Sequence, residues 1–406
     1  MNPETIDPLV CCRDICRLML SGLTQKQDSV PMLPAYLKAD RAVPLDTPVA
    51  VIDAGGTNFR TALLRFTSGG AVLESLQTHP MPGAAEEATW ADFIAYTADC
   101  LEPLLDFTDR IGFCFSYPGE VTPQLDSQVL SLTKQLKLKG ADGAYPGADL
   151  RAELAKRGKS ISKVVVLNDT PAALLGAYAL TDREKFGGYL GLVAGTGVNT
   201  CGIFSAESIE KIELSEGRIL INCETGSYAG FTRGDFDFLL DKNLPDTGKY
   251  TAEKMTGGAY LGEVCRYTLK GAACKGLFSK ECADFIGTLD KLETSTADSW
   301  LEGNVPPCFK GDDKDILVYI ISKLFERAAR CLCSTLCGLI LATDEGINAP
   351  VCIGVDGSLF KKSKFFHDEL IKNMDACAGT ALGRKFEFFT ADEMSLMGTA
   401  TAALTN

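Results

Sequence analysis

Apolar residues recur along this chain at two spacings, each predicting a different element. Between 49 and 80, short half-apolar runs broken by Gly55-Gly56 and Gly69-Gly70 predict an antiparallel meander. From 88 to 105, Trp90, Phe93, Ile94, Leu101, Leu104 and Leu105 fall at helical spacing and predict a core helix. RIGFCFSYPG (110–119) reads as a strand ending on Pro118-Gly119. The stretch 119–148 is rich in Gly, Pro and Asp with little periodicity, so a long loop of functional interest is expected.

The clearest junction is SKVVVLNDTPAALLGAYAL (162–180). Val164 to Leu167 form a fully apolar run, as in a buried parallel strand; Thr170 is expected to cap the next helix, with Pro171 at its first position. Asn168 and Asp169 then stand at the carboxyl end of a strand, where open α/β sheets bind ligands. GYLGLVAGTGVNTCGIF (188–204) is again strand, Gly-Thr-Gly turn, strand. It repeats the pattern of VIDAGGTNFRTALL about 140 residues earlier, a spacing that predicts two related halves rather than a repeat array. Beyond 230 the pattern is largely helical, until VCIGV (351–355) turns at Asp356-Gly357 into a helix over 358–375.

The length of 406 residues predicts about two or three domains with full cores. A formal charge of −13, from 53 acidic against 40 basic residues, leaves no broad basic surface and excludes nucleic acid as an expected partner. MNPETIDPLVCCRDICRLML lacks a basic leader region and reads as an amphipathic helix. In 315–343, Lys323, Glu326, Arg327 and Arg330 form a charged stripe, and what remains is too short to cross a bilayer. No membrane partner is expected, and 16 dispersed cysteines fit reduced thiols in a cytoplasm. Cys333 and Cys337 share a helical face without Cys331, and only His79 and His367 exist, so these thiols, like Cys11, Cys12 and Cys16, are expected as buried apolar groups rather than a zinc site.

Glycine turns bind phosphate because backbone N–H groups converge where no side chain intervenes. The P-loop pattern fails here, since Glu153 stands where its first glycine belongs before Gly158-Lys159-Ser160. Either turn alone is weak evidence. Two alike, with a third strand–glycine–helix junction at 354–358, favour a nucleotide gripped between two halves. Thr57 and Thr196 offer hydroxyls to phosphate, and Arg60 a fixed charge near the first turn. Asp53 suits either magnesium, through water, or a turn cap; the residues alone favour neither. Asp169 is the candidate base for a hydroxyl acceptor, with the helix N-terminus favouring its ionised form.

VIDAGGTNFR, SYPG before LTKQLK, VLNDT, GTGVNTC, INCETG, EKMTGGAYLGE and GVDGSLFKK occur in the order and approximate spacing of the hexokinases. SVPMLPAYL (29–37) resembles the stretch ahead of their phosphate motif, so the likeness runs from about residue 29 onward. The resemblance implies an α/β, two-lobed actin-like ATPase (ribonuclease H-like) fold with a cleft between a small and a large domain. The implied small lobe is 48–187 plus 391–406, and the large lobe 1–47 plus 188–390. It implies ATP-dependent phosphorylation of a hexose, D-glucose first, at the 6-hydroxyl, by one catalytic unit rather than a fused tandem. Asp169 would be the base, and Ser116, Thr133, Lys134, Asn168, Asn199, Glu224 and Glu263 would bind the sugar. Asp53, Gly55, Gly56, Thr57, Asn58, Arg60, Gly195, Thr196, Gly197, Gly354, Asp356, Gly357 and Ser358 would surround ATP and Mg2+, with Asp53 toward the metal. Lys361 and Lys362 are read as a solvated helix start.

Leu132 and Thr225 stand where hexokinases commonly carry tryptophan, and ADEMSLMGTATAAL replaces a glycine-rich segment that closes over the base. Mannose, fructose or an N-acetylhexosamine are therefore alternative acceptors. A sugar sensor without turnover and an actin-like ATPase are alternatives of another class, which the sugar-binding set opposes. Monomer and homodimer both stay open.

Overall fold

The computed structural model describes residues 2–406 other than 39–40, 56–57, 131, 133–135 and 214–215, and describes Asn58 without its side chain. Two sheets carry the architecture. The five-stranded sheet runs in the order Lys163–Leu167, Arg110–Phe115, Val49–Ala54, Asn58–Thr67, Gly70–Pro80. Val49–Ala54 is buried at every residue, as its apolar run Val49–Ile52 requires, with Asp53 buried near its end, and takes the centre. It pairs parallel with Arg110–Phe115, which pairs parallel with Lys163–Leu167, and antiparallel with Asn58–Thr67. Gly70–Pro80, mostly half-buried or exposed, closes the expected meander as an edge.

The six-stranded sheet runs Leu33–Lys38, Arg218–Asn222, Val198–Ser205, Gly188–Ala194, Val351–Asp356, Phe386–Phe389. Its central strand Gly188–Ala194 is antiparallel to Val198–Ser205 and parallel to Val351–Asp356. Both sheets thus contain three antiparallel strands followed by two parallel ones, and each glycine turn joins the central strand to its antiparallel neighbour. The expected kinship of the two halves is present in their topology.

Helix Asp169–Leu180 joins the sheets. It leaves the five-stranded sheet after Lys163–Leu167 and packs on the six-stranded one, buried at every residue from Thr170 to Tyr178. Being apolar all round, it can be covered on every side. Backbones approach closely here: a methyl group at Gly191 would lie 2.5 Å from the Thr170 carbonyl oxygen, and one at Gly354 2.6 Å from that of Ala173. On its other side lies Met394–Thr405, where a methyl at Gly398 would stand 1.8 Å from the Ala172 carbonyl oxygen. The long helix Gly311–Thr343 is buried from Leu317 to Ile340 at seventeen positions, and the N-terminal helix Pro8–Thr24, capped by Asp7, packs along it. Among the described residues, no helix is long and apolar enough to cross a membrane.

Several expectations need correction. Asn168, not Thr170, caps the helix, its side chain accepting from the Thr170 N–H at 3.2 Å. Pro171 is then the third helical residue, still among positions whose N–H has no helical partner. The 119–148 stretch holds short strands Gly119–Val121, Ser127–Val129 and Leu138–Lys139, and the start of helix Pro146–Lys156. The single helix expected over 358–375 is two, Ser358–Lys362 and Lys364–Met374, with Ser363 capping the second before a π-helical turn at Asp375–Ala381. Leu33–Lys38, Arg218–Asn222 and Phe386–Phe389 are strands that periodicity did not predict.

Gly398→Ala is expected to lower stability by about 1–3 kcal/mol, because Met394–Thr405 must lift off the helix that carries Asp169. Urea unfolding followed by circular dichroism measures it; an unchanged midpoint would refute the close packing.

Candidate functional site

Asp53, near the end of the central strand, faces Arg60 across the hairpin. The guanidinium contacts the carboxylates of Asp53 and Glu393 and donates to the Ser395 hydroxyl at 3.1 Å, which in turn donates to Asp53 at 3.1 Å. Burial disfavours the charge of Arg60, but Asp53, Glu393 and Asp356 hold its proton more tightly than usual. The fixed charge of Arg60 expected near the first turn is thus paired with two carboxylates. The Tyr117 hydroxyl donates to the Gly55 carbonyl at 3.1 Å and the Ser116 N–H to that of Ala54 at 3.2 Å, which binds the 116–119 corner to this turn. Gly56, Thr57, Thr133 and Lys134 lie outside the described residues, as does the Asn58 side chain.

The second turn is held from beneath. Gly258 N–H donates to the Gly195 carbonyl at 2.8 Å and Ala259 N–H to that of Thr196 at 2.9 Å. Glu253, in helix Thr251–Thr256, accepts from the Val198 N–H at 3.1 Å, and a methyl at Gly197 would collide with its carboxylate at 2.5 Å. Gly357, at φ +115°, touches the same turn: a methyl there would lie 2.6 Å from the Gly195 nitrogen. Only glycine meets both demands, a left-handed backbone and contact without a side chain. The Asp356 carboxylate accepts from the Gly357 N–H at 2.8 Å and pairs with Lys361 at 2.7 Å, so Lys361 is not simply solvated. Ser358 opens the helix that follows. Gly354 has a packing role instead, lying against Ala173 and Ala177 of the joining helix.

Between these turns sit the acids. Asp169 keeps partial solvent contact, yet the surrounding protein crowds it closely. Burial pushes its carboxyl up to about 7; the Thr170 hydroxyl, donating at 3.1 Å, opposes that, while repulsion from Asp53, Glu224 and Asp356 adds to it. The helix N-terminus is expected to favour the ionised form; burial, the largest influence on this carboxyl, acts the other way. Glu224, in the left-handed region at φ 55°, accepts from Asn222 at 2.6 Å and Asn199 at 3.2 Å, and burial raises its pKa against those bonds. Asn168 and Asn222 line one cavity of about 10 Å3 between the sheets, room for a single water.

Glu263 is placed differently. Its carboxylate takes three hydrogen bonds from Arg266, at 2.7 to 3.0 Å, and one from the Leu292 N–H at 2.9 Å. Among the described residues no hydrogen bond links it to Asn199, Asn222 or Glu224. The i,i+3 spacing of Glu263 and Arg266 favours this pair. Sequence reasoning missed Asn222, Glu253, Glu393 and Ser395. Asn222 had one signal, its place at a strand end two residues before Glu224, which lies past the strand in the left-handed region; Glu253 likewise stood four residues before the Gly257-Gly258 pair.

The donors fit magnesium. Asp53 and Asp356 offer hard carboxylate oxygens, the acids repel one another, and a cation among them would relieve that repulsion. The Gly195–Gly357 contact, which any Cβ would fill, suits a phosphate approaching the backbone.

Comparison with known proteins identifies the family and the fold. The hexokinase family matches residues 10–178 and again 189–405. Human hexokinase-2 is 26% identical over 388 residues, covering 87% of this chain and 42% of that protein, so the chain spans less than half the length of this relative. Hexokinase-1 of Schizosaccharomyces pombe is 24% identical over 420 residues, covering 94% of this chain and 84% of that one. The Schistosoma mansoni hexokinase solved with glucose shares the fold at a TM-score of 0.79 and 23% identity, over 99% of this chain and 97% of that one. A glucokinase of the ROK family from Streptomyces griseus, solved with glucose and AMPPNP, aligns at 0.54 and 16% identity over 88% and 99%. Matched over residues 10–178 and 189–405, across both of its halves, the chain belongs to the hexokinase family.

Proposed function

We propose that this chain transfers the terminal phosphoryl group of ATP to the 6-hydroxyl of a hexose, D-glucose first. The observation that carries the reading is Asp169. A carboxyl with a pKa of about 7 stands at a strand end, in the electrostatic neighbourhood of Asp53, Glu224 and Asp356. When ionised, it accepts the hydroxyl proton as the oxygen attacks phosphorus. Ser116, Thr133, Lys134, Asn168, Asn199 and Glu224 would fix the other hydroxyls, with Asn222 orienting Glu224 through its 2.6 Å bond. Glu263 would join them only by exchanging its Arg266 pair for sugar.

Backbone N–H groups of the two glycine turns and of Gly357 would hold the triphosphate, with Thr57 and Thr196 adding hydroxyls. Asp53, with Asp356, would hold Mg2+, which supplies positive charge to the phosphate oxygens when bound. The halves 48–187 with 391–406, and 1–47 with 188–390, would act as lobes whose closure keeps water from the phosphoryl group. Thr225 bonds Thr200 at 3.3 Å where hexokinases commonly carry tryptophan, so the sugar floor is narrower in aromatic surface. Mannose, fructose and N-acetylhexosamines are therefore the competing acceptors.

Asp169→Ala is expected to cut turnover by about 10²- to 10⁴-fold while sugar affinity, by calorimetry, shifts less than about threefold. Activity within about tenfold of the parent would refute the base; unchanged sugar binding with no parent turnover would favour a sensor. Only the ionised carboxylate accepts the proton, so kcat/KM should rise roughly tenfold per pH unit below about 7 and level off above it. A flat profile from pH 5 to 8, about two units below the raised pKa to about one above it, would contradict that pKa. In a coupled ADP-release assay with a panel of sugars, D-glucose is expected to give the highest kcat/KM; an N-acetylhexosamine outrunning it would reassign the acceptor.

A further inference from the structure

Away from the glycine turns and the acids, Cys12, Cys333, Cys337 and Cys377 share one hydrophobic core. The Sγ atoms of Cys333, Cys337 and Cys377 all lie within 4.8 Å of one another, and those of Cys333 and Cys337 are 3.8 Å apart. Cys12 lies in the electrostatic neighbourhood of Cys377, its thiol donating to the Leu9 carbonyl at 3.2 Å, and the Met374 thioether sulfur stands 3.9 Å from the Cys337 thiol. The sulfurs come from three segments: Cys12 from the N-terminal helix, Cys333 and Cys337 from Gly311–Thr343, and Cys377 from the π-helical turn Asp375–Ala381. Cys331, on the same long helix, stays apart and packs near Arg327 and Cys11.

We propose that Cys333, Cys337 and Cys377, with the neighbouring Cys12 turning from the Leu9 carbonyl to complete the set, form a site for one thiophilic d10 cation of the Zn2+, Cd2+ or Cu+ class. In a tetrahedral thiolate site with metal–sulfur bonds of about 2.3 Å, neighbouring sulfurs stand about 3.8 Å apart. Cys333 and Cys337 already have that separation, and the third sulfur needs to move by an ångström or so, within the reach of a χ1 adjustment. The donors are all sulfur, with no histidine or carboxylate among them, which selects soft ions against Mg2+ or Ca2+. The backbone bears the mark of this placement. A regular helix continues Lys364–Met374 only as far as Met374, and the wider π turn, a form that recurs at functional sites, brings Cys377 inward. That turn is also the access route. Cys377 is 5% exposed where the other three are fully buried, and Asp375, Ala376, Gly379 and Thr380 beside it face solvent. Opening one turn therefore exposes the site without disturbing the long helix.

The sequence alone argues otherwise, because Cys331, Cys333 and Cys337 on one helix cannot enclose an ion; the fold adds Cys377 and Cys12 from elsewhere. The competing account is that these are small apolar core residues, and it predicts no ion affinity. The test uses the full chain, reduced, freed of metal with a chelator and titrated with Cd2+ alone, then in separate arms with Zn2+ or Cu+. About one ion per chain should survive gel filtration, with a sulfur-to-cadmium charge-transfer band and a melting temperature raised by about 3 °C or more. Cys377→Ala should lose all three while keeping phosphotransfer, and Cys274→Ala, at an exposed cysteine, should keep them. Retention below about a tenth of an ion in the parent, or equal retention in Cys377→Ala, would overturn the site. Should Cys377→Ala fail to fold, alkylation of the parent in sub-denaturing urea decides: Cd2+ must slow labelling of these four cysteines specifically, and equal labelling with and without the ion would overturn it.

Discussion

Desolvation of the Asp169 carboxyl is the interaction on which the site depends. A base for an alcohol must be ionisable near neutral pH yet basic enough to accept a proton, and a solvated aspartate is too acidic. The fold supplies the correction by placing Asp169 where two sheets and a fully buried helix meet. Crowding pushes its pKa to about 7, and three further acids, Asp53, Glu224 and Asp356, push the same way. The same crowding makes the place expensive to build. Each neighbouring carboxylate is balanced by something specific: Arg60 and Ser395 on Asp53, Lys361 on Asp356, Asn199 and Asn222 on Glu224.

Close backbone contact is the second constraint, and it follows from the first. For acids from two sheets to share one neighbourhood, the strands and the joining helix must approach more closely than side chains allow. Gly191 and Gly354 let the six-stranded sheet meet the helix, Gly398 lets the C-terminal helix meet its other side, and Gly195 meets Gly357. The glycines that bring the two turns' segments together are thus continuous with those that seat Asp169, the proposed base.

Some of this could be read from residue order, and the reasons differ by element. Val49–Ala54 and Lys163–Leu167 were legible because strands buried on both faces are continuously apolar. Leu33–Lys38 was not, since Pro34 and a left-handed Tyr36 break any alternation. Phe386–Phe389, half-buried throughout, shows no two-residue period either. Asn168 and Thr170 are both good caps, and only the backbone decides between them. The acids of the site were recognisable from their motifs, but their balance was not. That Arg60 reaches Glu393, 333 positions away, and that Asp169 is raised by burial and by acids of other segments are properties of long-range packing, whereas the Glu263–Arg266 pair is local, three residues apart on one helix.

The most direct test of the account is a crystal structure with D-glucose and a non-hydrolysable ATP analogue. The account predicts the sugar's 6-hydroxyl within about 3 Å of an Asp169 oxygen, with the terminal phosphate beside it and the triphosphate along Gly195–Gly197 and Gly357. A sugar whose 6-hydroxyl points away from Asp169, or a triphosphate bound away from those glycines, would contradict it.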